Sequence, residues 1–315
     1  MQIQPTTNVL ASWMTSYIPD KDFFFLTEEQ YSKVMNQLDI LAIPIDEFFS
    51  HSTYSQIHYM NSYEYWNIKY AKYVIVAESN WIEQLSKEEK KFILTAQVQC
   101  KRGMTVPISF IHNIKDIPVD YIQNGHVVLQ RTMWENLNPY TKEKLLLRMV
   151  YEWWDKGECQ EVPVNLPNHI HLFANTFGKK QGANCLAAVL YAITEGKNPW
   201  LIHEWIHQQT FLEKLKQCQY QIVKTNKPNK GDVVIWQDEN ENIRHAAYCI
   251  EENLFFNKHG QTIFNPWKLL STEQLNKEWS SLKQLIYRRV QPNQHMTMLL
   301  EKENDTKFNN PQPPY

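Results

Sequence analysis

The chain has 315 residues, of which 43% are hydrophobic and 21% charged, and its net charge at pH 7 is −2. At roughly 100–200 residues per domain, that length and composition predict a folded chain of two domains, or of one large domain with a tail. The absence of a basic excess argues against a nucleic-acid partner.

In the first half, Thr27 with Gln30 three residues on forms a capping box and predicts a helix through Leu38. Ser86 with Glu89 repeats the signal before Lys90-Lys91-Phe92-Ile93-Leu94. The β-branched runs Tyr73–Ala77 and His126–Leu129 read as strands, and Thr141–Trp154 as a long amphipathic helix. Residues 1–165 carry no chemical constellation and read as an α/β recognition or scaffold domain. Pro163 and Pro167 mark its end.

Residues 166–292 are more informative. A small-residue apolar helix is predicted over Asn184–Thr194, with a connecting helix over His203–Gln217. Lys230-Gly231-Asp232 is a turn before the strand Val233–Trp236. The polar run Asp238–Asn242 turns the chain into a second strand, His245–Ile250, and Glu251-Glu252-Asn253 into a third, Leu254–Asn257. The fold class is therefore α+β, with a Cys-bearing helix packed on an antiparallel meander. Residues 293–315, rich in Asn and Pro, read as a flexible tail.

Cys185 stands at the start of its helix. A thiolate there is favoured by the helix dipole and the unpaired N–H groups of the first turn. Gly182 permits an abrupt approach of the chain. A nucleophilic cysteine needs a base, and the base needs an orienting group. His245, at the start of its strand, is the candidate base. Asn257, twelve residues on at the facing position of the next strand, is the candidate third member, with His259 and Gln261 as alternatives.

This order resembles the NlpC-like branch of the papain-fold cysteine peptidases. Gly182-Ala183-Asn184-Cys185 is similar to that family's Gly-x-Asp-Cys. Lys230–Trp236 is similar to its Pro-Gly-Asp-Leu-Val-Phe-Phe strand, and His245–Ile250 to its His-Val-Gly-Ile-Tyr-Ile. The likeness covers roughly residues 173–267. It departs from the pattern at Asn184, Leu186 and Ala187, and Phe173 or Phe177 stands where a Tyr commonly faces the cysteine. The resemblance implies a papain-like domain and a thioester intermediate on Cys185, in a hydrolase or acyl transferase of the peptidase or amidase class. Its substrate would be a small peptide, amide or ester, with Phe177, Asn184 and Gln261 as substrate contacts and no cofactor or metal.

Relatives of that branch often cut cell-wall peptides outside the cell. Here no basic-then-apolar leader opens the sequence, and the five cysteines form no CxxC pair. A cytoplasmic setting with free thiols is the expectation. No run of about 20 apolar residues predicts a membrane span. Two other readings compete. His203-Glu204-Trp205-Ile206-His207 matches HExxH, which on one helix would give a zinc metallopeptidase with Glu204 as base. A non-catalytic binding protein on the same fold is the third.

Overall fold

The computed structural model describes residues 1–290; the expected tail over 293–315 lies outside them. Helix α1 (Thr7–Ser16) is capped by the Thr6 hydroxyl. The apolar run of β1 (Lys21–Leu26) follows, then α2 (Glu28–Val34) with its Thr27–Gln30 capping box in place. That helix stops at Val34, four residues short of the expected end, where the chain turns over 35–37. Strand β2 (Ala42–Pro44), α3 (Ile45–Ser50), α4 (Ile57–Ser62) and β3 (Tyr73–Glu78) complete a three-stranded antiparallel sheet in the order β1-β3-β2. Helix α5 (Lys87–Gln99), with the Ser86–Glu89 capping box, packs on β1. A second small sheet has β4 (Thr105–Pro107), β5 (Ile122–Gln123) and β6 (His126–Val128) in the order β4-β6-β5. After α6 (Arg131–Asn136) comes α7 (Pro139–Met149), which widens into a π-helical turn over Val150–Trp154.

The second half carries α8 (Asn168–His171), α9 (Cys185–Ile193), α10 (Gln208–Gln217), β7 (Tyr220–Val223), β8 (Val233–Gln237), β9 (Ile243–Glu251), β10 (Leu254–Lys258), β11 (Trp267–Leu270), α11 (Thr272–Trp279) and β12 (Lys283–Arg289). Six strands form one antiparallel sheet in the order β11-β10-β9-β8-β12-β7. The expected meander is β8-β9-β10, and β12 crosses back to lie between β8 and β7. The architecture is mixed helix and antiparallel sheet, of the α+β kind.

Side-chain alternation divides this sheet into two faces. Val233, Ile235 and Ala246 pack with Leu186, Val189 and Leu190 of α9. Val234, Trp236, Ala247 and Cys249 face the other way and pack with Leu275 of α11, with Trp279 beside them. Helix α9 is apolar on every side and is buried from Leu186 to Ile193, as a helix held between a sheet and other elements must be.

The two halves share a core. Trp13 of α1 sits edge-on to Phe177 at 5.8 Å and to Phe264 at 5.3 Å, and its indole N–H donates to the Gly178 carbonyl at 2.8 Å. Lys268 of β11 forms a buried ion pair with Asp155 at 2.8 Å. The Asn61 Nδ2 donates to the Gln261 carbonyl at 3.1 Å, and the Gln261 Nε2 returns a bond to Asn61 Oδ1 at 2.8 Å. Among the described residues no helix is long and apolar enough to cross a membrane.

Candidate active site

The loop before α9 is held from three directions. Gly182 has φ +116°, a left-handed conformation that glycine adopts without a Cβ penalty, and a Cβ there would stand 3.3 Å from Ile57. Its N–H donates to the Gln261 carbonyl at 3.1 Å. Asn184 is the N-cap: its Oδ1 accepts from the Ala187 N–H at 3.0 Å. Its Nδ2 donates to the Ile206 carbonyl at 2.8 Å. Asn184 is thus buried and spent on capping, and Gln261 is spent on joining the halves. Expected as substrate contacts, both instead fix the Cys185 backbone.

The Cys185 side chain is half-buried at the helix start. Three backbone N–H groups face its sulfur, those of Cys185 itself, Leu186 and Ala246. Burial nevertheless pushes the thiol up to about 11, against the pull of those N–H groups and of Lys258. The contact with Ala246 is a product of the sheet. The β9–β10 ladder ends at the Tyr248–Phe256 pair, so β9 from Ala247 back toward Ile243 is unpaired on that side. The helix start enters at this opening. The structure therefore brings Cys185 to the backbone of the residue that follows His245.

His245 itself turns toward the α11 face, on the side of β9 opposite Ala246 and α9, so its ring and the Cys185 sulfur are not brought together. It stacks on Trp279 at 4.8 Å and 7°, with His259 at 5.3 Å and Trp236 at 5.6 Å. Burial holds its imidazole well below the ordinary histidine range. The neighbouring His259 pushes the same way, while Asn257 favours the charged form. Asn257 is thus near enough to act on the His245 ring, though no hydrogen bond joins them. Asn257 Nδ2 donates to the Lys268 carbonyl at 3.3 Å, which turns Oδ1 away from β11. Oδ1 of Asn257 and Nε2 of His245 are both sealed from solvent without a full hydrogen bond, an orphan acceptor near an orphan ring nitrogen. Catalytic hydrogen bonds are often long in the resting state. His259 is engaged by Glu278 at 2.8 Å.

Phe177 is buried against Trp13 and lines an apolar cleft of about 820 Å³ together with Phe173, Gln181, Gly182, Trp205 and Trp267. The cleft ends at Gly182, three residues before Cys185, with Lys179 and Lys180 at its wall.

The HExxH segment does not form the helix expected over 203–217. Leu201–His203 is a single 3-10 turn, Glu204 is extended, and α10 starts only at Gln208. Asn184 holds the extended segment between the two helical pieces: its Nδ2 takes up the Ile206 carbonyl at 2.8 Å, and its Oδ1 accepts from the Ile206 N–H at 3.5 Å. His203 and His207 therefore do not share a helical face. Among the described residues no three His, Cys, Asp or Glu side chains are grouped to hold a metal.

Three residues of the site were not singled out from the sequence. Lys258 ends the buried strand that the apolar run Leu254–Phe256 opens, at a position that alternation sends to the same face as Phe256. Trp279 and Glu278 lie on α11, which the Ser271–Gln274 capping box announces. Compared with known proteins, the chain matches no family model, no curated protein and no solved structure.

Proposed function

We propose that this protein is a thiol-dependent hydrolase or acyl transferase acting on an amide or ester, with Cys185 as nucleophile, His245 as base and Asn257 as the group that orients it. The observation that carries this reading is the meeting, at one opening between β9 and β10, of the Cys185 thiol with the Ala246 N–H beside the His245–Asn257 pair. The order of elements supports a place near the NlpC-like branch of papain-fold peptidases: helix-start cysteine, strand, strand with histidine, strand with asparagine.

The chemistry follows from the environment. Both thiol and imidazole are neutral at rest, because burial raises one and lowers the other. Attack on a carbonyl carbon therefore goes with transfer of the thiol proton to the imidazole, which has to turn from its resting place on the α11 face toward the helix start for the step. The carbonyl oxygen gains the negative charge, and the N–H groups at the start of α9 are the donors able to hold it. The imidazolium then gives its proton to the departing amine or alcohol, leaving a thioester on Cys185. Water or an amine resolves the thioester. Trp279 covers the imidazole and keeps bulk water from its face.

The test uses p-nitrophenyl acetate as a generic acyl donor and peptide mapping as the readout. An acetyl adduct on Cys185 is expected, with His245→Ala reducing its rate by about 10²–10⁴-fold. Cys218 is also partly exposed and serves as the internal reference. Equal acetylation of Cys218 and Cys185 would sink the reading and leave a binding protein. Zinc chemistry at His203 and His207 has no geometric support in this fold.

A further inference from the structure

We propose that the first half of the chain binds a neutral oligosaccharide, in the cleft between the π-helical turn at Val150–Trp154 and the loop that follows α4. The cleft shares no residue with the candidate active site. It encloses about 770 Å³, within the range of small-ligand sites. Trp66 and Trp153 stand on it 48% and 42% exposed. Trp154 lies half-buried beside them, edge-on to Trp66 at 6.4 Å. Indole rings are large apolar surfaces, and two of them left facing water in one cleft mark a place where something stacks.

The backbone that holds these rings is costly. Among the described residues ten that are not glycine adopt positive φ, and three of them line this cleft: Glu64 at 49°, Lys101 at 55° and Met104 at 63°. Such conformations persist where the surroundings over-determine them, and they gather at ligand sites. Gly103 lets the two loops meet, since a Cβ there would stand 2.4 Å from the Ser62 carbonyl oxygen. Trp153 and Trp154 enter from a π-helical turn, a rare form that recurs at functional sites. Phe110 braces Trp153 at 4.7 Å.

The polar lining decides the class of ligand. Glu64 takes one bond from the Asn67 amide at 2.6 Å, and Glu152 pairs with Arg148 at 3.4 Å. Each charge is thus partly matched, and each carboxylate keeps lone pairs for a donor. Lys101 brings an ammonium to the same cleft, beside the buried Arg102. His126 has its Nδ1 3.0 Å from the Asn124 carbonyl, which leaves Nε2 for a ligand. With both signs present, neither an anion nor a cation is favoured. A proline-rich peptide would suit the indoles, but proline has no N–H for the carboxylates. A pyranose ring meets both demands. Its C–H bonds form an apolar face that stacks on indole, and its hydroxyls both donate to carboxylates and accept from an ammonium.

The experiment titrates the full chain with cellotetraose, maltotetraose and N-acetylchitotetraose by isothermal calorimetry. At least one is expected to bind with a dissociation constant of about 1 mM or tighter. Trp66→Ala and Trp153→Ala each remove an exposed ring. They are expected to weaken that binding by about tenfold or more, with circular dichroism unchanged. Trp200→Ala removes an indole that is 60% exposed outside the cleft, and is expected to leave the binding as it was. No heat from any of the three sugars at about 5 mM overturns the proposal. Equal binding by the wild type and both cleft variants overturns it as well, and so does a loss in Trp200→Ala as large as in Trp66→Ala. If a proline-only peptide binds in place of the sugars and is lost in Trp66→Ala, the cleft is a peptide site and the saccharide assignment falls.

Discussion

At the residue scale, the site is built from polar side chains placed where water is scarce, and each carries a measurable cost or benefit. Asn257→Ala removes the group that favours the charged imidazole. Acetylation of Cys185 by p-nitrophenyl acetate is expected to slow by about 10–100-fold, with the fold intact by circular dichroism, because orientation rather than packing is lost. Lys258 gives the opposite signature in stability. Its folded-state value of about 7 lies below the ordinary 10.5, so between those values the unfolded chain binds a proton that the folded chain has released. Unfolding free energy from this group therefore rises with pH from about 7 upward. Denaturant melts of wild type and Lys258→Met at pH 7 and pH 9.5 are expected to show this rise in the wild type alone, by about 1–3 kcal/mol. A flat difference would show that the amine is not held in its neutral form.

At the scale of elements, the sequence carried much of the frame. The Cys185 helix and the three strands β8, β9 and β10 lie where periodicity and turn residues put them, because each is a local pattern with its own punctuation. The connecting helix did not survive over its first turns, where the chain is extended and held by Asn184, more than twenty residues away in sequence. β12 escaped notice because its place between β8 and β7 is a long-range pairing without a local mark. α11 had a mark, and the Trp279 it delivers is what seals His245. Trp279→Ala is expected to return the imidazole toward its ordinary range, seen as a downfield-shifting His245 resonance at higher pH by NMR, and to admit water to Asn257. Asn184→Ala removes a cap with two further bonds to Ile206. It is expected to cost about 1–2 kcal/mol in denaturant unfolding and to slow Cys185 alkylation together with it.

At the scale of the whole molecule, the first half is joined to the site through Trp13, Asn61 and Asp155. The sequence was read with a boundary near Pro163, and it gave no sign of these bonds across it. Asp155 with Lys268 is the one with the sharpest test. Asp155→Leu leaves a buried ammonium unpaired and is expected to cost about 3–5 kcal/mol, while adding Lys268→Met is expected to recover most of that loss. Thermal melts of the two proteins decide it: equal melting points for the single and double variants would mean that the pair carries no net weight. Lys268 also bears on His245, so the single variant should alter the thiol's reactivity and the double variant should alter it in a different measure.

The opening between β9 and β10 has a consequence for synthesis. A growing chain presents Cys185 long before the Ala246 N–H, Lys258 and the Trp279 cover have left the ribosome. Until those later segments pair, the nascent thiol lacks the neighbours that bury it and the groups proposed to act on it. The thiol reaches its buried setting only when the last strands close; until then it is a solvated cysteine, which ionises more readily than the buried thiol of the finished fold.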